Sequence, residues 1–424
     1  MEKQFTVAII GCGSRGAEAY GRLMDAQKDK WKIVALCDVN GEKTEKYGKI
    51  FSVGEENRFT DEKEFFQRKR ADALVIATMD NDHVRQCITA LRLGYDVLLE
   101  KPLTKRKKEC RALLAAHEKY GGKVMVCHVL RYAPAYKIIK ELLQNNECGE
   151  LVLIDSIEQV CYWHQAHSFV RGNWRNDKET SPMILQKCCH DLDLLQYYVG
   201  GRCESLSSVG SLHYFRKENQ PQGAADRCVD CKYCKTCTYS AENIYVGNWK
   251  AAGSPENCWP YNAITDAVPQ TEESLRKAIR TGRYGRCVFA CDNDVVDNQI
   301  VAMHFQNGVN TNLRMTAFTA GGGRIMKFYC TQGEIDFFDA ENKVIVKKFN
   351  RPERIIDAEA LLSDGGHNHG GGDDGVIDAF YKALCGDEKI ATSLEASVES
   401  HLSFRATERR CWSRRCVVIS PRLC

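Results

Sequence analysis

The stretch that decides the fold is Thr6-Val7-Ala8-Ile9-Ile10-Gly11-Cys12-Gly13-Ser14-Arg15-Gly16, near the start of this 424-residue chain. An apolar run of strand type leads directly into three glycines, and helix-compatible residues follow them. In such strand–turn–helix units the first glycine permits the tight turn, the second lets a pyrophosphate approach the backbone, and the third allows close packing. The phosphates then lie at the helix N-terminus. The turn predicts a dinucleotide site formed by Gly11, Gly13, Ser14, Arg15 and Gly16.

An acidic residue strengthens this interpretation. A second predicted strand, residues 32–37, ends at Asp38, at the distance where a carboxylate binds the ribose 2′-hydroxyl. Such a carboxylate repels the 2′-phosphate of NADP, so NAD is the predicted cofactor. The alternative is that the glycines form an ordinary turn and Asp38 caps a loop.

Further α/β units follow along the first domain. Residues 73–77 and 95–99 predict buried strands, and residues 83–93 predict a helix between them. Parallel sheets bind ligands outside the carboxyl ends of their strands. The polar residues at these ends, which we predict to contact the cofactor, are Thr78, Asp80, His83, Glu100 and Lys101.

With Glu100-Lys101-Pro102 the chain resembles the Gfo/Idh/MocA family of sugar and cyclitol dehydrogenases, in which this signature follows a GxGxxG domain. The resemblance implies an α/β protein with an N-terminal Rossmann domain and parallel sheet, at residues 1–127. It also implies a C-terminal α+β domain with a large, mostly antiparallel sheet, at residues 128–404. In the family, the motif lysine lies beside the nicotinamide and the substrate hydroxyl, which implies that role for Lys101.

The residues predicted to carry the chemistry lie on a helix expected over residues 186–195. Lys187 and His190 share one face of this helix, whereas the family has a catalytic Asp at the position of Gln186. A neutral amide cannot act as a general base, so Lys187, His190 or Lys101 must take that role. Histidine is the economical choice because it titrates near neutrality. A lysine would need its pKa lowered by burial or by a nearby cation.

Residues 162–175 are rich in aromatic and hydrogen-bonding side chains and predict a sugar-binding loop. Aromatic faces cover the apolar side of a sugar ring, while Arg, His and Asn bind hydroxyls or a carboxylate. An interdomain loop packed with tryptophans is the alternative. Together with residues from the domain crossing and the catalytic helix, the predicted substrate set is His128, Arg131, Tyr162, His167, Arg171, Trp174 and Asp191.

An insertion near residues 221–262 carries four closely spaced cysteines, Cys228, Cys231, Cys234 and Cys237. Thiolates at such spacing indicate a metal site, and we predict structural zinc that pins a long loop. Iron–sulfur ligation and free thiols are the alternatives, and Cys258 could replace one ligand. The tail, residues 405–424, is rich in Arg and Cys, and its composition predicts no regular structure beyond a short edge strand.

Composition excludes several classes of function. A formal net charge of +3 supplies no extended basic surface for nucleic acid. The N-terminus lacks the features of a secretory signal, and no stretch is apolar enough to cross a membrane. The 22 cysteines are therefore interpreted as reduced thiols or metal ligands in the cytoplasm.

The expected function is reversible hydride transfer between NAD and a secondary hydroxyl of a sugar, sugar acid or cyclitol. The expected partner is a small carbohydrate, with no nucleic acid and no membrane, and the family implies a homo-oligomer, either dimer or tetramer. Two alternatives stay open: a glycosidase that uses bound NAD transiently for oxidation and elimination, and a non-catalytic, NAD-binding regulator.

Overall fold

The computed structural model describes residues 3–256, 258–265, 267–362 and 368–408. Its first sheet has six parallel strands in the order β3-β2-β1-β4-β5-β6. The strands are β1 (Phe5–Ile10), β2 (Trp31–Cys37), β3 (Arg58–Phe59), β4 (Ala73–Ile76), β5 (Asp96–Leu99) and β6 (Val124–Val126). The helices between them are α1 (Arg22–Ala26), α2 (Gly41–Ile50), α3 (Glu62–Phe65), α4 (His83–Arg92) and α5 (Lys107–Tyr120).

The burial of the strands in this sheet matches their parallel pairing. β4 is buried along its whole length and β1 along most of it, as expected where helices cover both faces of a parallel sheet. The strand order reverses its direction of growth at β1, between β2 and β4. Ligands of such folds bind at this switch point, outside the carboxyl ends of the strands. The predicted Rossmann domain is confirmed.

The second sheet has eight strands in the order β14-β13-β12-β11-β7-β10-β9-β8. Only β7 and β10 pair in parallel, and the other pairs are antiparallel, which confirms the predicted architecture. The strands are β7 (Leu151–Gln159), β8 (Cys203–Ser211), β9 (Asn298–Phe305), β10 (Asn310–Thr316), β11 (Gly323–Cys330), β12 (Gly333–Phe338), β13 (Lys343–Lys348) and β14 (Arg354–Asp357).

Eight helices accompany the second sheet within the described residues: α6 (Pro134–Gln144), α7 (Tyr162–His164), α8 (Met183–Gln186), α9 (Cys189–Val199), α10 (Asn248–Ala251), α11 (Glu272–Thr281), α12 (Gly372–Cys385) and α13 (Leu394–Glu408). The last two return to the first domain. Phe380 of α12 stacks on Trp31 of β2, with ring centroids 5.9 Å apart. The amide of Val126 donates to the carbonyl of Thr392, just before α13. Within the described residues, the segment 372–392 therefore returns the chain to the first domain.

Three local predictions are corrected by the structure. The helix expected over residues 186–195 is broken, because α8 ends at Gln186 and α9 begins at Cys189. Residues 162–164 form a short α-helix, and residues 165–171 continue it as a π-helix, so this part of the predicted loop is helical. Helix α13 reaches Glu408, inside the predicted tail, and residues 409–424 lie outside the described residues. Among the described residues, no helix is long and apolar enough to span a membrane.

Candidate functional site

The glycine turn has a geometry that only glycine permits. Gly11 has a φ of +91°, and a Cβ there would lie 2.4 Å from the carbonyl oxygen of Ala77. A Cβ on Gly16 would lie 2.0 Å from the carbonyl oxygen of Gly11. By contrast, a Cβ on Gly13 would meet no described atom within 4 Å. The first and third glycines therefore serve close packing, and the missing side chain of Gly13 leaves open space, as the approach of a pyrophosphate would require.

Asp38 follows β2 and closes this turn. Its Oδ2 accepts the backbone N–H of Cys12 at 2.7 Å, and its Oδ1 accepts that of Asn40 at 2.9 Å. A carboxylate has about four lone-pair positions, so each oxygen retains capacity for a ribose hydroxyl. The backbone thus orients Asp38 without exhausting it as an acceptor.

The His83 imidazole connects the loop after β4 with the loop after β5. Its Nδ1 lies 2.8 Å from the carbonyl oxygen of Pro102, and its Nε2 lies 3.0 Å from that of Thr78. The side chain of Thr78 donates to Gln86 at 2.7 Å. His83 is buried, so the structure places it behind the predicted cofactor surface, where it fixes the loops that would form that surface.

Arg15 and Glu100 belong to one buried network. Arg15 Nε lies 2.8 Å from Glu100 Oε1, and its Nη2 lies 2.7 Å from Asp373 Oδ1. Tyr20 donates to Glu100 at 2.6 Å. Although burial opposes ionisation, Arg15 and Lys101 hold the pKa of Glu100 below its ordinary value. The guanidinium of Arg15 is therefore committed to two carboxylates rather than extended toward a phosphate, and Asp373 is a partner that the sequence analysis missed.

Lys101 lies where the two domains meet. Its backbone N–H donates to Glu100 Oε2 at 2.9 Å, and its ammonium donates to the backbone carbonyl of Gln186 at 3.3 Å. The Gln186 amide, oriented to satisfy its neighbours, donates to Asp80 Oδ2 at 3.1 Å and accepts Trp174 Nε1–H at 2.6 Å. Among the described residues, Lys101 forms no ion pair with a carboxylate. Its charge therefore remains available to a ligand.

His190 is buried beside Lys101. Its ring lies 6.1 Å from that of His128 and 6.4 Å from that of His369, measured between centroids. Burial, followed by the positive charges of Lys101 and Arg324, lowers the pKa of His190 well below its ordinary value. Its Nδ1 is buried and finds no hydrogen-bond partner in the described part of the chain. His190 is thus a neutral imidazole at physiological pH, the form that can accept a proton.

Lys187 has a different setting from Lys101, because it is paired. Its ammonium lies 3.3 Å from Glu158 Oε1, while Arg324 binds both Glu158 at 2.7 Å and Asp191 at 2.8 Å. Burial raises the pKa of Asp191 to about 6, against the opposing effect of Arg324. Lys187 retains partial exposure, but Asp191 is buried under the site. The structure does not bring the Asp191 carboxylate to a surface that a substrate could reach.

Other predicted substrate residues are also buried and engaged. Arg131 forms a bidentate ion pair with Asp193, at 2.7 Å for each contact. Arg171 donates to the carbonyl oxygen of Tyr239, inside the insertion, at 2.6 Å and to that of Arg286, after the insertion, at 2.7 Å. His128 is buried between His190 and His401. The structure places these three side chains behind the site, where they support it.

An aromatic wall flanks the site, and part of it was predicted. Tyr162 is partly exposed, Trp174 reaches Gln186, and His167 bonds Tyr245 at 3.0 Å and stacks on Tyr284. His164, within the predicted loop, lies 4.8 Å from Trp259, measured between ring centroids, and Trp259 was not predicted as a site residue. Burial, then the charges of Lys187, His167 and Lys101, lowers the pKa of His164 well below its ordinary value. His164 therefore lies near both candidate catalytic lysines.

The predicted zinc site is corrected. Over the described ranges, which include Cys228, Cys231, Cys234 and Cys237, no three His, Cys, Asp or Glu side chains are grouped to hold a metal ion. Cys228 instead lies 3.6 Å from the guanidinium of Arg171, and Cys234 lies 3.5 Å from the hydroxyl of Ser240. Tyr245 and Trp249 of the insertion pack with Phe215, just before it, in one apolar cluster.

Comparison with known proteins agrees with this geometry. Residues 5–128 match the model of an oxidoreductase family with an NAD-binding Rossmann fold, and residues 140–336 match that family's C-terminal alpha/beta domain. The chain is 25% identical to oxidoreductase P35 of Formosa agariphila, over 76% of this chain and 91% of that protein. It is 26% identical to the 2,7-anhydro-N-acetylneuraminate hydratase of Mediterraneibacter gnavus, over 48% of this chain and 51% of that protein.

Two further similarities complete the comparison. The chain is 29% identical to the D-apiose dehydrogenase of Paraburkholderia graminis, over 35% of this chain and 38% of that protein. An oxidoreductase from Agrobacterium radiobacter, solved with NAD⁺, L-tartaric acid and magnesium, shares the fold with a TM-score of 0.68 at 16% identity, over 98% of both chains. With both domain models matched across most of its length, the chain belongs to the Gfo/Idh/MocA family of NAD-binding oxidoreductases.

Proposed function

We propose that the chain transfers a hydride between NAD and a secondary hydroxyl of a sugar, sugar acid or cyclitol. The observation that carries the proposal is the juxtaposition of Lys101 and His190 at the carboxyl end of the Rossmann sheet. Among the described residues, the Lys101 ammonium donates to a backbone carbonyl and to no carboxylate, and burial lowers the pKa of the His190 imidazole, which favours its neutral form. A hydroxyl that loses hydride must also lose a proton, and these groups suit that need.

The turn at Gly13, the Ser14 backbone and Asp38 fit the pyrophosphate and a ribose of NAD. When bound, NAD supplies the hydride acceptor. Lys101 would then stabilise negative charge on the substrate oxygen, as a fixed cation does at a developing alkoxide. His190 would accept the hydroxyl proton on its free nitrogen lone pair. Lys187 would bind a hydroxyl or carboxylate of the substrate, since Glu158 holds it in place.

The wall around the lysines supports a carbohydrate as the substrate. Trp259 and Tyr162 offer exposed or partly exposed aromatic faces, Lys187 is partly exposed, and the Trp174 indole N–H reaches Gln186. This mixture is typical of sugar sites, where rings cover apolar faces and polar groups fix hydroxyls. The D-apiose dehydrogenase relative is in keeping with a sugar. We also propose NAD over NADP, because Asp38 would repel a 2′-phosphate.

A direct test is a panel of sugars, sugar acids and cyclitols assayed with NAD at the absorbance of NADH. The proposal expects stoichiometric NADH formation with one class of substrate. Lys101→Met and His190→Asn should abolish most of that signal while cofactor binding persists. Tight NAD binding with no turnover of any substrate would instead support the non-catalytic regulator.

A second candidate function is favoured by the hydratase relative, since hydration involves no net oxidation. Here the same site would oxidise a substrate carbon transiently, allow elimination of a neighbouring group, and return the hydride. The same panel, extended to glycosides and anhydro sugars, separates the two. Release of product without net accumulation of NADH would support elimination.

The homo-oligomer is also a proposal. On the face of the second sheet away from the site, Val209 and Ile300 are neighbours in register and are 64% and 53% exposed. Apolar pairs on an open sheet face are typical of subunit contacts. Light scattering should find a dimer or tetramer, and Ile300→Glu should shift it toward the monomer.

A further inference from the structure

A cavity of about 390 Å³ lies outside the proposed hydride site, beside the end of α11. Four arginines and a single carboxylate line it: Arg175, Arg227, Arg283, Arg286 and Glu179. Arginines in such number repel one another unless anions compensate them. The positive charges that face this cavity therefore need negatively charged groups nearby.

Carboxylates compensate two of the four arginines. Arg175 Nε lies 2.9 Å from Asp292 Oδ1, and Arg286 Nη1 lies 2.8 Å from the same oxygen. Arg175 also pairs with Glu179 at 2.9 Å. Hydrogen bonds from Arg175, opposed by burial, hold the pKa of Asp292 below its ordinary value, so it is ionised. These pairs balance two positive charges.

Neutral oxygens bind the other two arginines. Arg227 Nη2 donates to the carbonyl oxygens of Ile279 at 2.9 Å and Gly282 at 2.7 Å. Arg283 Nη1 donates to Asn173 Oδ1 at 2.9 Å. Across the described ranges, neither arginine forms an ion pair. With Asp292 counted beside the lining residues, the cavity thus faces two more positive than negative charges.

Two donors on this wall are also unused. The Nε atoms of Arg227 and Arg286 are buried and have no hydrogen-bond partner among the atoms that the structure describes. Buried donors are normally satisfied, so an orphaned one indicates a position that a water or an anion can fill. The planar guanidinium presents its donors in a fork that matches phosphate and carboxylate oxygens.

We propose that this cavity binds a phosphate group, at a site separate from the dinucleotide turn. A phosphate monoester carries a charge of about −1.5 to −2 at neutral pH, which matches the two uncompensated arginines, whereas a single carboxylate leaves one unbalanced. The phosphate comes either free or as part of a phosphorylated sugar. Asn173 and Arg175 flank Trp174, which reaches Gln186, so the bound group lies beside the segment that reaches the hydride site.

The test is calorimetric titration of the full chain with inorganic phosphate and, separately, with glucose 6-phosphate. Saturating NAD is present throughout to occupy the glycine turn, and chloride at equal ionic strength serves as the blank. Arg283→Gln removes one uncompensated charge from an exposed side chain, and Arg280→Gln, an exposed arginine on α11 outside the cavity, is the matched control. Arg286→Lys keeps the charge but loses the fork.

Saturable binding that Arg283→Gln and Arg286→Lys each weaken about tenfold, and Arg280→Gln leaves unchanged, is the expected result for a charge-assisted contact. Binding of both probes identifies free phosphate as sufficient, and binding of glucose 6-phosphate alone assigns the phosphate to a sugar. Two results would overturn the proposal: no heat with either probe, or binding that neither cavity variant weakens.

Discussion

The Lys101 ammonium donates to the backbone carbonyl of Gln186 at 3.3 Å and thereby joins the Rossmann domain to α8 of the second domain. The carbonyl belongs to the last residue of that one-turn helix, where backbone carbonyls have no partner within the helix. A neutral carbonyl holds the ammonium in place without cancelling its charge. This explains how Lys101 can be positioned before a substrate binds.

Replacement of Lys101 by Met should lower kcat for hydride transfer by about 10²-fold or more, since it removes charge stabilisation at the reacting oxygen. NAD affinity should change little, because the turn and Asp38 are intact. Stopped-flow NADH absorbance and cofactor titration measure the two effects. Lys108→Met, an exposed lysine on α5, is the control. A Lys101→Met enzyme with near-normal turnover would remove the residue from the mechanism.

His190→Asn should also lower kcat by about 10²-fold or more, as expected when a general base is lost. The pH profile adds a sharper test. Because burial and Lys101 lower the pKa of His190, its imidazole stays neutral as pH falls past its ordinary value of 6.5. The acid limb of the wild-type kcat should therefore lie below pH 6.5. An acid limb centred at or above that pH would contradict the assignment of His190 as the base.

The sequence predicted the fold well because its signals were local. A GxGxxG turn, an acidic residue after the second strand and alternating apolar strands each depend on neighbours along the chain, and both sheets follow from them. Long-range pairing is different. Nothing in the local pattern connects Arg15 with Asp373, more than 350 residues later, so Arg15 was expected near a phosphate.

The site shows the same limit. Lys187 and His190 were placed on one helix by their spacing, but the chain breaks between α8 and α9 and lets Gln186 turn its carbonyl to Lys101. Likewise Arg171 has the chemistry of a substrate ligand, and only the fold of the insertion shows that backbone carbonyls already occupy it. The residue type predicts which chemistry a side chain can perform, whereas its position in the fold determines which groups it contacts.

Asp38→Asn should reduce the preference for NAD over NADP. The amide keeps one acceptor oxygen for the turn but loses the charge that repels a 2′-phosphate. A charge-assisted hydrogen bond contributes about 1.5–3 kcal/mol, so the ratio of the two dissociation constants should change about 10- to 100-fold. Calorimetry with both cofactors measures it, with Asp29→Asn, an exposed carboxylate, as control. An unchanged ratio would show that Asp38 does not read the ribose.

Asp373→Asn should destabilise the protein by weakening the contact between α12 and the glycine turn. Loss of one partner of a buried ion pair costs about 3–5 kcal/mol, and here we expect about 2–3 kcal/mol because Arg15 keeps Glu100. Urea unfolding of Asp373→Asn measures this free energy. Asp374→Asn changes the neighbouring carboxylate, which has no ion pair within the described ranges. Equal stability of the two variants would mean that the Arg15 network contributes little.

The last prediction concerns acid stability and depends on buried histidines. Burial lowers the pKa of His167 and of His401 to about 3, from an ordinary value of 6.5. Below pH 6.5 the unfolded chain therefore binds protons that the folded chain does not, and stability falls as pH falls.

At pH 5 each histidine costs about 2 kcal/mol of folding stability relative to pH 7. Asp191 acts in the opposite direction, since burial raises its pKa and its protonation on acidification favours the folded chain. Urea unfolding at pH 7 and pH 5 should thus show a net loss of at least about 2 kcal/mol. His167→Asn should reduce that loss by about 2 kcal/mol, whereas His213→Asn, at an exposed position, should leave it unchanged. A wild-type protein equally stable at both pH values would show that these histidines titrate normally and are not sealed from water.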